Sequence, residues 1–348
     1  MVSPYKDRPK TSYWKTGVLE ASHFHSQLYS KKFDIVRDMR VATAGSCFAQ
    51  HIGRSLIEHN YRVIDVEPAP WGLSTETARR YGYGLYSARY GNIYTSRQLV
   101  QLMRECLEGI EPGEIVWSTG ERHFDALRPS VEPEGLDSSQ EVLIHRADHL
   151  RRVRALLEQV DLLIFTLGLT EAWRHRETGT VFPTAPETVA GTYSDRVYEF
   201  VNFGFDDVRG DLRLIRSMLK EINPAAKLLL TVSPVPLTAT GSTHHVHVAS
   251  TYSKAVLRAA AASLYEEFDD VDYFPSFDMI WNPFLKHSFY DANLRSVTTE
   301  GVEAAMAMFF AAHDTAGRTR SNAPVAFGSS RSEEDIVCDE ALLEAFAP

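Results

Sequence analysis

Ser46 has the residue type and the position that nucleophilic catalysis requires. It follows the apolar run 39–44 and precedes a helical period of apolar residues that begins at Phe48. A serine between a strand and a helix lies at the carboxyl end of a sheet, where backbone N–H groups can stabilise an oxyanion. A serine there can also act only as the N-cap of the helix. Cys47 beside it is a second candidate nucleophile, although a free cysteine is more often a small buried residue.

A serine nucleophile needs a proton acceptor, and the densest group of imidazoles in the chain is His244-His245-Val246-His247. This group follows the predicted strand 228–232, so we expect it at the same edge of the sheet as Ser46. We predict that His245 is the base, with His247 as the second candidate, although each could instead be a solvated surface histidine. The pair could also bind a metal, but no third ligand has a suitable spacing, and we predict no metal site.

Short apolar runs alternate with amphipathic stretches along most of the chain, which is the pattern of a parallel sheet with crossover helices. The predicted strands are 39–44, 63–66, 162–166, 228–232 and 271–274. The predicted helices follow Ser46 and span 96–107, 149–160, 212–222, 252–268 and 298–312. We therefore predict a three-layer α/β/α domain over residues 1–312, with a parallel sheet of about five strands in flavodoxin-like order.

Three regions lie outside this minimal core. Residues 68–145 and 172–210 are rich in Pro, Gly and aromatic residues, and we predict that both are insertions that form the walls of a pocket. Residues 313–348 are polar and indicate an extended arm that ends in a short helix at 340–346. Such an arm could dock on the body of the protein or on a partner, including a second copy of the chain in a homo-oligomer.

The composition disfavours several classes of protein. With 36 Lys and Arg against 46 Asp and Glu, the net charge is −10 and no dense basic patch occurs, which argues against nucleic-acid binding. The N-terminus lacks the apolar run of a signal peptide, and no window has the roughly 18 apolar residues that span a membrane, so we predict a cytoplasmic protein. Three cysteines without a Cys-x-x-Cys pair form no disulfide framework. No phosphate-binding glycine motif occurs, and we predict no cofactor.

Several ordered segments of the chain resemble the GSCFA family, which belongs to the wider SGNH/GDSL hydrolase superfamily. The first is Gly45-Ser46-Cys47-Phe48-Ala49, which looks like the signature that names the family. The others are Ser87-Ala88-Arg89-Tyr90-Gly91-Asn92-Ile93-Tyr94-Thr95, Thr166-Leu167-Gly168-Leu169-Thr170-Glu171-Ala172-Trp173 and Thr231-Val232-Ser233-Pro234-Val235-Pro236. The resemblance spans most of the chain and implies an SGNH-type fold with a serine nucleophile.

The resemblance also implies roles for particular residues. Ser46 matches the nucleophile of SGNH enzymes, and Gly91 best matches the glycine whose N–H completes their oxyanion hole. Thr170 stands where these enzymes have an asparagine side-chain donor, and a hydroxyl donates less rigidly than an amide. Asn92 could supply the missing amide.

The largest departure from the superfamily concerns the base. Asn293 and Ser296 stand at the places where SGNH enzymes carry Asp and His before their last helix. Without an imidazole there, either His245 or His247 takes over as the base, or the protein has lost the chemistry and only binds its ligand.

We predict that the substrate is an O-acyl ester of a small molecule or a carbohydrate, because related SGNH proteins often act on acetylated sugars. Tryptophan rings such as that of Trp173 could stack on a sugar. The residues predicted to contact substrate are Gly45, Arg89, His123, Glu171, Trp173 and Arg295. The predicted function is that of a serine esterase or deacylase, with an acyltransferase and a non-catalytic binding protein as the alternatives.

Overall fold

The strands and helices of the protein follow the predicted α/β alternation. The computed structural model describes residues 3–21, 27–284, 289–313 and 336–347. The strands are β1 (Val41–Gly45), β2 (Val116–Thr119), β3 (Arg122–Asp125), β4 (Leu162–Leu167), β5 (Glu171–His175), β6 (Val181–Phe182), β7 (Tyr198–Asn202), β8 (Lys227–Val232) and β9 (Val271–Phe274). The helices are α1 (Phe48–Glu58), α2 (Thr75–Arg80), α3 (Ser96–Glu108), α4 (Ser139–Gln159), α5 (Phe205–Ile222), α6 (Val246–Glu267), α7 (Ser276–Ile280) and α8 (Thr299–His313).

Strands β1, β4, β8 and β9 form a parallel sheet in that order. These strands are apolar along their length because helices cover both faces of the sheet, and every residue of β1 and β4 is buried. One face packs against α3, α4, α5 and α6, and the other packs against α1, α7 and α8. The predicted three-layer α/β/α fold is therefore confirmed.

One predicted strand, 63–66, is reduced to a single parallel bridge between Val41 and Val63. The stretch is only partly buried, so it lacks the two-sided cover that makes the other strands continuous. The bridge nevertheless lies on the outer side of β1. Its position gives the sheet the strand order that is typical of flavodoxin-like folds.

Three helices begin earlier than the apolar periodicity predicts. α4 starts at Ser139 rather than at 149, α5 starts at Phe205 rather than at 212, and α6 starts at Val246 rather than at 252. Their first turns are largely exposed and therefore show no apolar period. As a consequence, His245 is the N-cap of α6 and His247 lies in its first turn. The predicted helix start at 252 would have placed both histidines before the helix.

The two predicted insertions contain the antiparallel parts of the chain. Residues 68–145 include α2, α3 and the hairpin of β2 and β3, and residues 172–210 include most of the three-stranded sheet of β5, β6 and β7. Arg146 of α4 fastens the first insertion, because its guanidinium pairs with Asp125 of β3 and Glu105 of α3 in the protein interior.

Residues 336–347, which we call the C-terminal segment, lie against α1. The side-chain amide of Gln50 exchanges two hydrogen bonds with the backbone of Val337, of 2.7 and 3.1 Å. A 3₁₀ helix, Asp339–Phe346, follows where a short helix was predicted. The stretch 314–335 of the predicted extended arm lies outside the described residues. Within the described ranges, no helix combines the length and the apolar character needed to cross a membrane.

Candidate active site

Ser46 follows β1 with its side chain buried and unpaired. Only 3% of the residue is exposed, and its hydroxyl has no hydrogen-bond partner among the described residues. Cys47 rather than Ser46 is the N-cap of α1, and that helix has no side-chain cap. The capping role is thereby excluded. A buried hydroxyl without a hydrogen-bond partner lowers the free energy of unfolding by roughly 1–3 kcal/mol, so stability does not explain why a serine is present here.

The backbone around Ser46 is held tightly against β4. The Ser46 N–H donates to the Thr166 carbonyl at 3.1 Å and is therefore already engaged. Gly45 has a φ of +136°, and a Cβ at this position would lie 2.3 Å from the same carbonyl oxygen. Only glycine fits there, and it allows the two strands to approach where the serine leaves the sheet.

Gly168, directly after β4, packs against Ser46. A Cβ on Gly168 would lie 2.8 Å from the Ser46 Cβ and 3.1 Å from the Tyr94 carbonyl oxygen. The N–H groups of Gly168 and Leu169 both donate to that carbonyl oxygen, at 3.0 and 2.9 Å. Tyr94 and the turn after β4 are therefore held together beside the serine.

Replacement of Gly168 by alanine is expected to damage this packing. The added methyl group would overlap Ser46 and the Tyr94 backbone, and we expect a destabilisation of about 1–3 kcal/mol, as is typical of overpacking. Gly210→Ala in α5 is the matched control, since no atom lies within 4 Å of the added Cβ and alanine favours a helix. Thermal unfolding measures both variants. A melting temperature for Gly168→Ala equal to that of the wild type would contradict the close contact.

Lys254 of α6, which the sequence analysis did not select, is buried beside the same glycine. The residue is 1% exposed, and its Nζ donates to the Gly168 carbonyl at 2.7 Å. Because Gly168 also contacts Ser46, a single residue separates the amine from the serine. Burial lowers the pKa of Lys254 to about 8, so the neutral amine becomes available only slightly above neutral pH.

Arg295 and two residues of the C-terminal segment complete the site. Arg295 Nη2 lies 3.5 Å from a carboxylate oxygen of Glu340 and 3.8 Å from the Sγ of Cys338. The Tyr94 hydroxyl lies 3.8 Å from the same sulfur and accepts the Glu340 N–H at 3.3 Å. The site thus contains a hydroxyl, an amine, a guanidinium, a thiol and a carboxyl group.

Cys47 and Cys338 bring two thiols together next to Ser46. The hydrogen bond from Cys47 lowers the pKa of Cys338 to about 6, and the charge of Arg295 acts in the same direction. The same hydrogen bond, together with burial, raises the pKa of Cys47. Cys47 therefore stays protonated, which makes it a poorer nucleophile than its position beside Ser46 suggests.

Asn92 faces the C-terminal segment. Its Nδ2 donates to the Asp339 carboxylate at 3.0 Å, and its Oδ1 accepts a hydrogen bond from the Tyr86 hydroxyl. The preceding Gly91 has a φ of +66°, in the left-handed region that favours glycine. The roles of Gly91 and Asn92 in an oxyanion hole stay predictions.

Neither predicted histidine base forms a hydrogen bond with Ser46, because the Ser46 hydroxyl has no hydrogen-bond partner within the described residues. The Nδ1 of His245 accepts the backbone N–H of His247 at 3.1 Å, and the His247 ring stacks on Trp281. Both histidines are exposed at the start of α6. No group of three or more side chains that could hold a metal occurs in the described part of the chain. The role of either histidine as the base stays a prediction.

Thr170 and Glu171 bind neighbouring parts of the fold. The Thr170 N–H donates to the Ser253 hydroxyl at 3.0 Å, and its own hydroxyl donates to the Asn202 Oδ1 at 2.7 Å. Glu171 accepts a hydrogen bond of 2.8 Å from Thr240 in the loop before α6. The Thr170 hydroxyl is therefore already engaged, and its predicted role as an oxyanion donor would require it to exchange partners.

Three other residues that were predicted to contact substrate have partners within the insertions or α4. The Arg89 guanidinium donates to two backbone carbonyl groups and to the Glu132 carboxylate. His123 lies between two serine hydroxyls, and Trp173 packs edge-on against two aromatic rings of the second insertion. None of these contacts involves Ser46, and the three substrate roles stay predictions.

The loop before α8, in which the sequence analysis matched Asn293 and Ser296 with the Asp and His of SGNH enzymes, forms a tight turn. Asn293 Nδ2 donates to the Ser296 hydroxyl at 2.8 Å, and Asn293 Oδ1 accepts the backbone N–H groups of Arg295 and Ser296. In place of an imidazole, this turn therefore supplies Arg295 to the site.

The fold and the site define a three-layer α/β/α protein with a serine at the carboxyl end of the first strand of its parallel sheet. The chain belongs to the GSCFA family, whose model matches residues 40–309, and the resemblance to this family is thereby confirmed. A solved structure from Streptococcus pneumonia, described as a candidate platelet activating factor, is similar at 14% identity with a TM-score of 0.26. That similarity covers 44% of this chain and 64% of the other, which is less than two thirds of its length. A search of the curated proteins found no match.

Proposed function

We propose that this protein is an SGNH-type serine hydrolase, an esterase or deacylase that cleaves an O-acyl ester through a covalent acyl-Ser46 intermediate. The buried, unpaired hydroxyl of Ser46 after β1 is the observation that carries this proposal. A hydroxyl that neither caps a helix nor bonds to a neighbour is retained at a cost in stability. Its position at the edge where α/β proteins bind ligands supplies a functional reason for that cost.

Lys254 is our proposed proton acceptor, in preference to His245 or His247. A desolvated lysine is neutral closer to pH 7 and can then deprotonate a serine hydroxyl. The contact of Lys254 with Gly168 keeps the amine near Ser46. In this proposal the amine reaches the Ser46 hydroxyl directly or through one water. The imidazoles of His245 and His247 are instead exposed at the start of α6.

In this mechanism the Ser46 hydroxyl gives its proton to the Lys254 Nζ while its oxygen bonds to the acyl carbon. The proton then passes to the departing alcohol as the ester C–O bond breaks. A water molecule then gives a proton to the same amine and attacks the acyl carbon. The bond to the Ser46 oxygen breaks, that oxygen takes the proton back from the amine, and the acid is released. Gly91 and Asn92 are the proposed oxyanion donors, and Asn92 becomes free for this role when its Nδ2 leaves Asp339.

Two alternatives use the same serine differently. An acyltransferase would pass the acyl group to a carbohydrate hydroxyl instead of water. A binding protein would keep the site without the chemistry, and the lack of a base bonded to Ser46 within the described residues favours this alternative over the transferase. An O-acetyl carbohydrate is retained as a substrate class by analogy with the superfamily.

A panel of short-chain nitrophenyl esters and O-acetylated sugars tests the proposal. We expect the wild-type protein to cleave at least one of them and Ser46→Ala to cleave none above background. Ser263→Ala is the matched control, because the Ser263 hydroxyl bonds only to a carbonyl group within α6. If Ser46→Ala still cleaved the esters, Ser46 would not be the nucleophile. A wild type that neither cleaves the panel nor transfers acyl groups to added sugars would favour a binding role.

A further inference from the structure

The C-terminal segment places two carboxyl groups on polar groups of the candidate active site. Asp339 accepts a hydrogen bond from Asn92, and the backbone N–H of Glu340 donates to the Tyr94 hydroxyl. Asp339 and Glu340 are only 3% and 8% exposed. Acidic side chains are rarely buried to this extent unless they have partners, so this part of the site accommodates carboxyl groups.

The Glu340 carboxyl group lies near the Arg295 guanidinium, in a space that we call the carboxylate subsite. One of its oxygens is 3.5 Å from Nη2 of Arg295. Arg295 belongs to the turn before α8, and its Nη2 also lies 3.8 Å from the Sγ of Cys338.

Glu340 fills the carboxylate subsite only loosely. A strong arginine–carboxylate pair has two parallel hydrogen bonds of about 2.7–2.9 Å, whereas Arg295 and Glu340 share one contact of 3.5 Å. The Arg295 Nε is buried without a partner among the described residues. Burial raises the pKa of Glu340 to about 8, and the charge of Cys338 acts in the same direction. The subsite therefore offers an unused donor to a better-placed carboxylate.

We infer that the substrate carries a carboxylate that binds to Arg295 in the place of Glu340, which acts as an internal competitor. This inference rests on the ester chemistry proposed above and specifies its substrate class. Cys47, the neighbour of Ser46, contacts Cys338, two positions before Glu340. The substrate in this proposal joins a carboxylate and an ester group in one small molecule. Half-esters of short dicarboxylic acids have this arrangement.

The kinetic test compares nitrophenyl hemiglutarate with nitrophenyl valerate, which has an acyl chain of the same length without the charge. We expect the wild type to prefer the anionic ester in kcat/KM by about 10–100-fold, the range for a hydrogen bond to a charged group. Arg295→Gln should remove this preference, and Arg196→Gln, at an exposed arginine, should retain it. Equal kcat/KM values for the two esters in the wild type would overturn the inference.

Glu340→Gln tests the competition. Above pH 8, where Glu340 is ionised, the variant should have a lower KM for the anionic ester than the wild type, because an amide competes less well than a carboxylate for a guanidinium. Glu344→Gln is the matched control, since Glu344 is exposed in the same segment. A KM that is the same in the wild type and in Glu340→Gln would overturn the competitor role.

Binding without turnover separates failure of this inference from failure of the proposed function. In a calorimetric titration, the Ser46→Ala variant should bind glutarate, and the double variant Ser46→Ala, Arg295→Gln should not bind it. This result is expected whether or not any ester is cleaved. If glutarate does not bind while neutral esters are cleaved at Ser46, the carboxylate subsite is wrong and the proposed function stands. Binding of inorganic phosphate but not of glutarate would also overturn the inference of a carboxylate subsite.

Discussion

Replacement of Ser46 by alanine is expected to abolish ester cleavage without weakening the fold. Loss of a serine nucleophile lowers turnover by roughly 10³–10⁶-fold in serine hydrolases. The free energy of unfolding should stay equal or rise by up to about 1–2 kcal/mol, because the substitution removes a buried hydroxyl without a partner. Most substitutions of buried residues destabilise a protein. Lost activity with an equal or higher melting temperature is therefore a distinctive result.

Thr184→Val is the matched control for the stability effect. Thr184 also has a buried hydroxyl without a partner among the described residues, and it lies in the second insertion. We expect this variant to raise the melting temperature while it keeps the activity. If Ser46→Ala lowered the melting temperature and Thr184→Val did not, the Ser46 hydroxyl would have a structural role, and the functional reason for its burial would lose its support.

A second large effect is expected for Lys254→Met. Methionine fills a similar buried space but accepts no proton, so turnover should fall by about 10²–10⁴-fold if Lys254 is the base. In the wild type, kcat/KM should rise with pH and level off above pH 8. The reason is that burial lowers the pKa of Lys254 to about 8 and only the neutral amine accepts a proton. This pH dependence should be absent from the residual activity of Lys254→Met.

The variants His245→Ala and His247→Ala test the competing assignment. Imidazole bases generally titrate at about pH 6.5, so a histidine base would place the rise in kcat/KM at lower pH. Lys220→Met is the matched control for the lysine, because Lys220 also donates to a backbone carbonyl, that of Ala226. A pH-dependent rise that persists in Lys254→Met and disappears in either histidine variant would contradict the lysine assignment.

Most of the central sheet could be predicted because its signal is local. β4, β8 and β9 begin and end within one residue of the predicted apolar runs. A parallel strand that is buried on both faces is apolar along its whole length, so the run itself marks the strand. The starts of α4, α5 and α6 were predicted less well, because their exposed first turns show no apolar period.

The candidate site could be predicted only in part. Ser46 and Arg295 follow from their positions in recognisable segments. The sequence does contain a signal for Lys254. It lies among buried residues such as Leu257 on the inner side of α6, where a lysine is unusual. Cys338 had no such signal. It lies 292 positions (338 minus 46) after Ser46 in a polar stretch, and no local pattern indicates that this stretch returns to the sheet.

Covalent labelling with phenylmethanesulfonyl fluoride tests most directly whether Ser46 is a nucleophile. The reagent can modify activated hydroxyls and thiols, so mass spectrometry of the digested full-length chain distinguishes the serine from the cysteines beside it. We predict one adduct on Ser46, which is absent in Ser46→Ala and retained in Cys47→Ala. An adduct on Cys47 or Cys338 with Ser46 unmodified, or no adduct on any of these three residues of the folded protein, would contradict the nucleophile assignment.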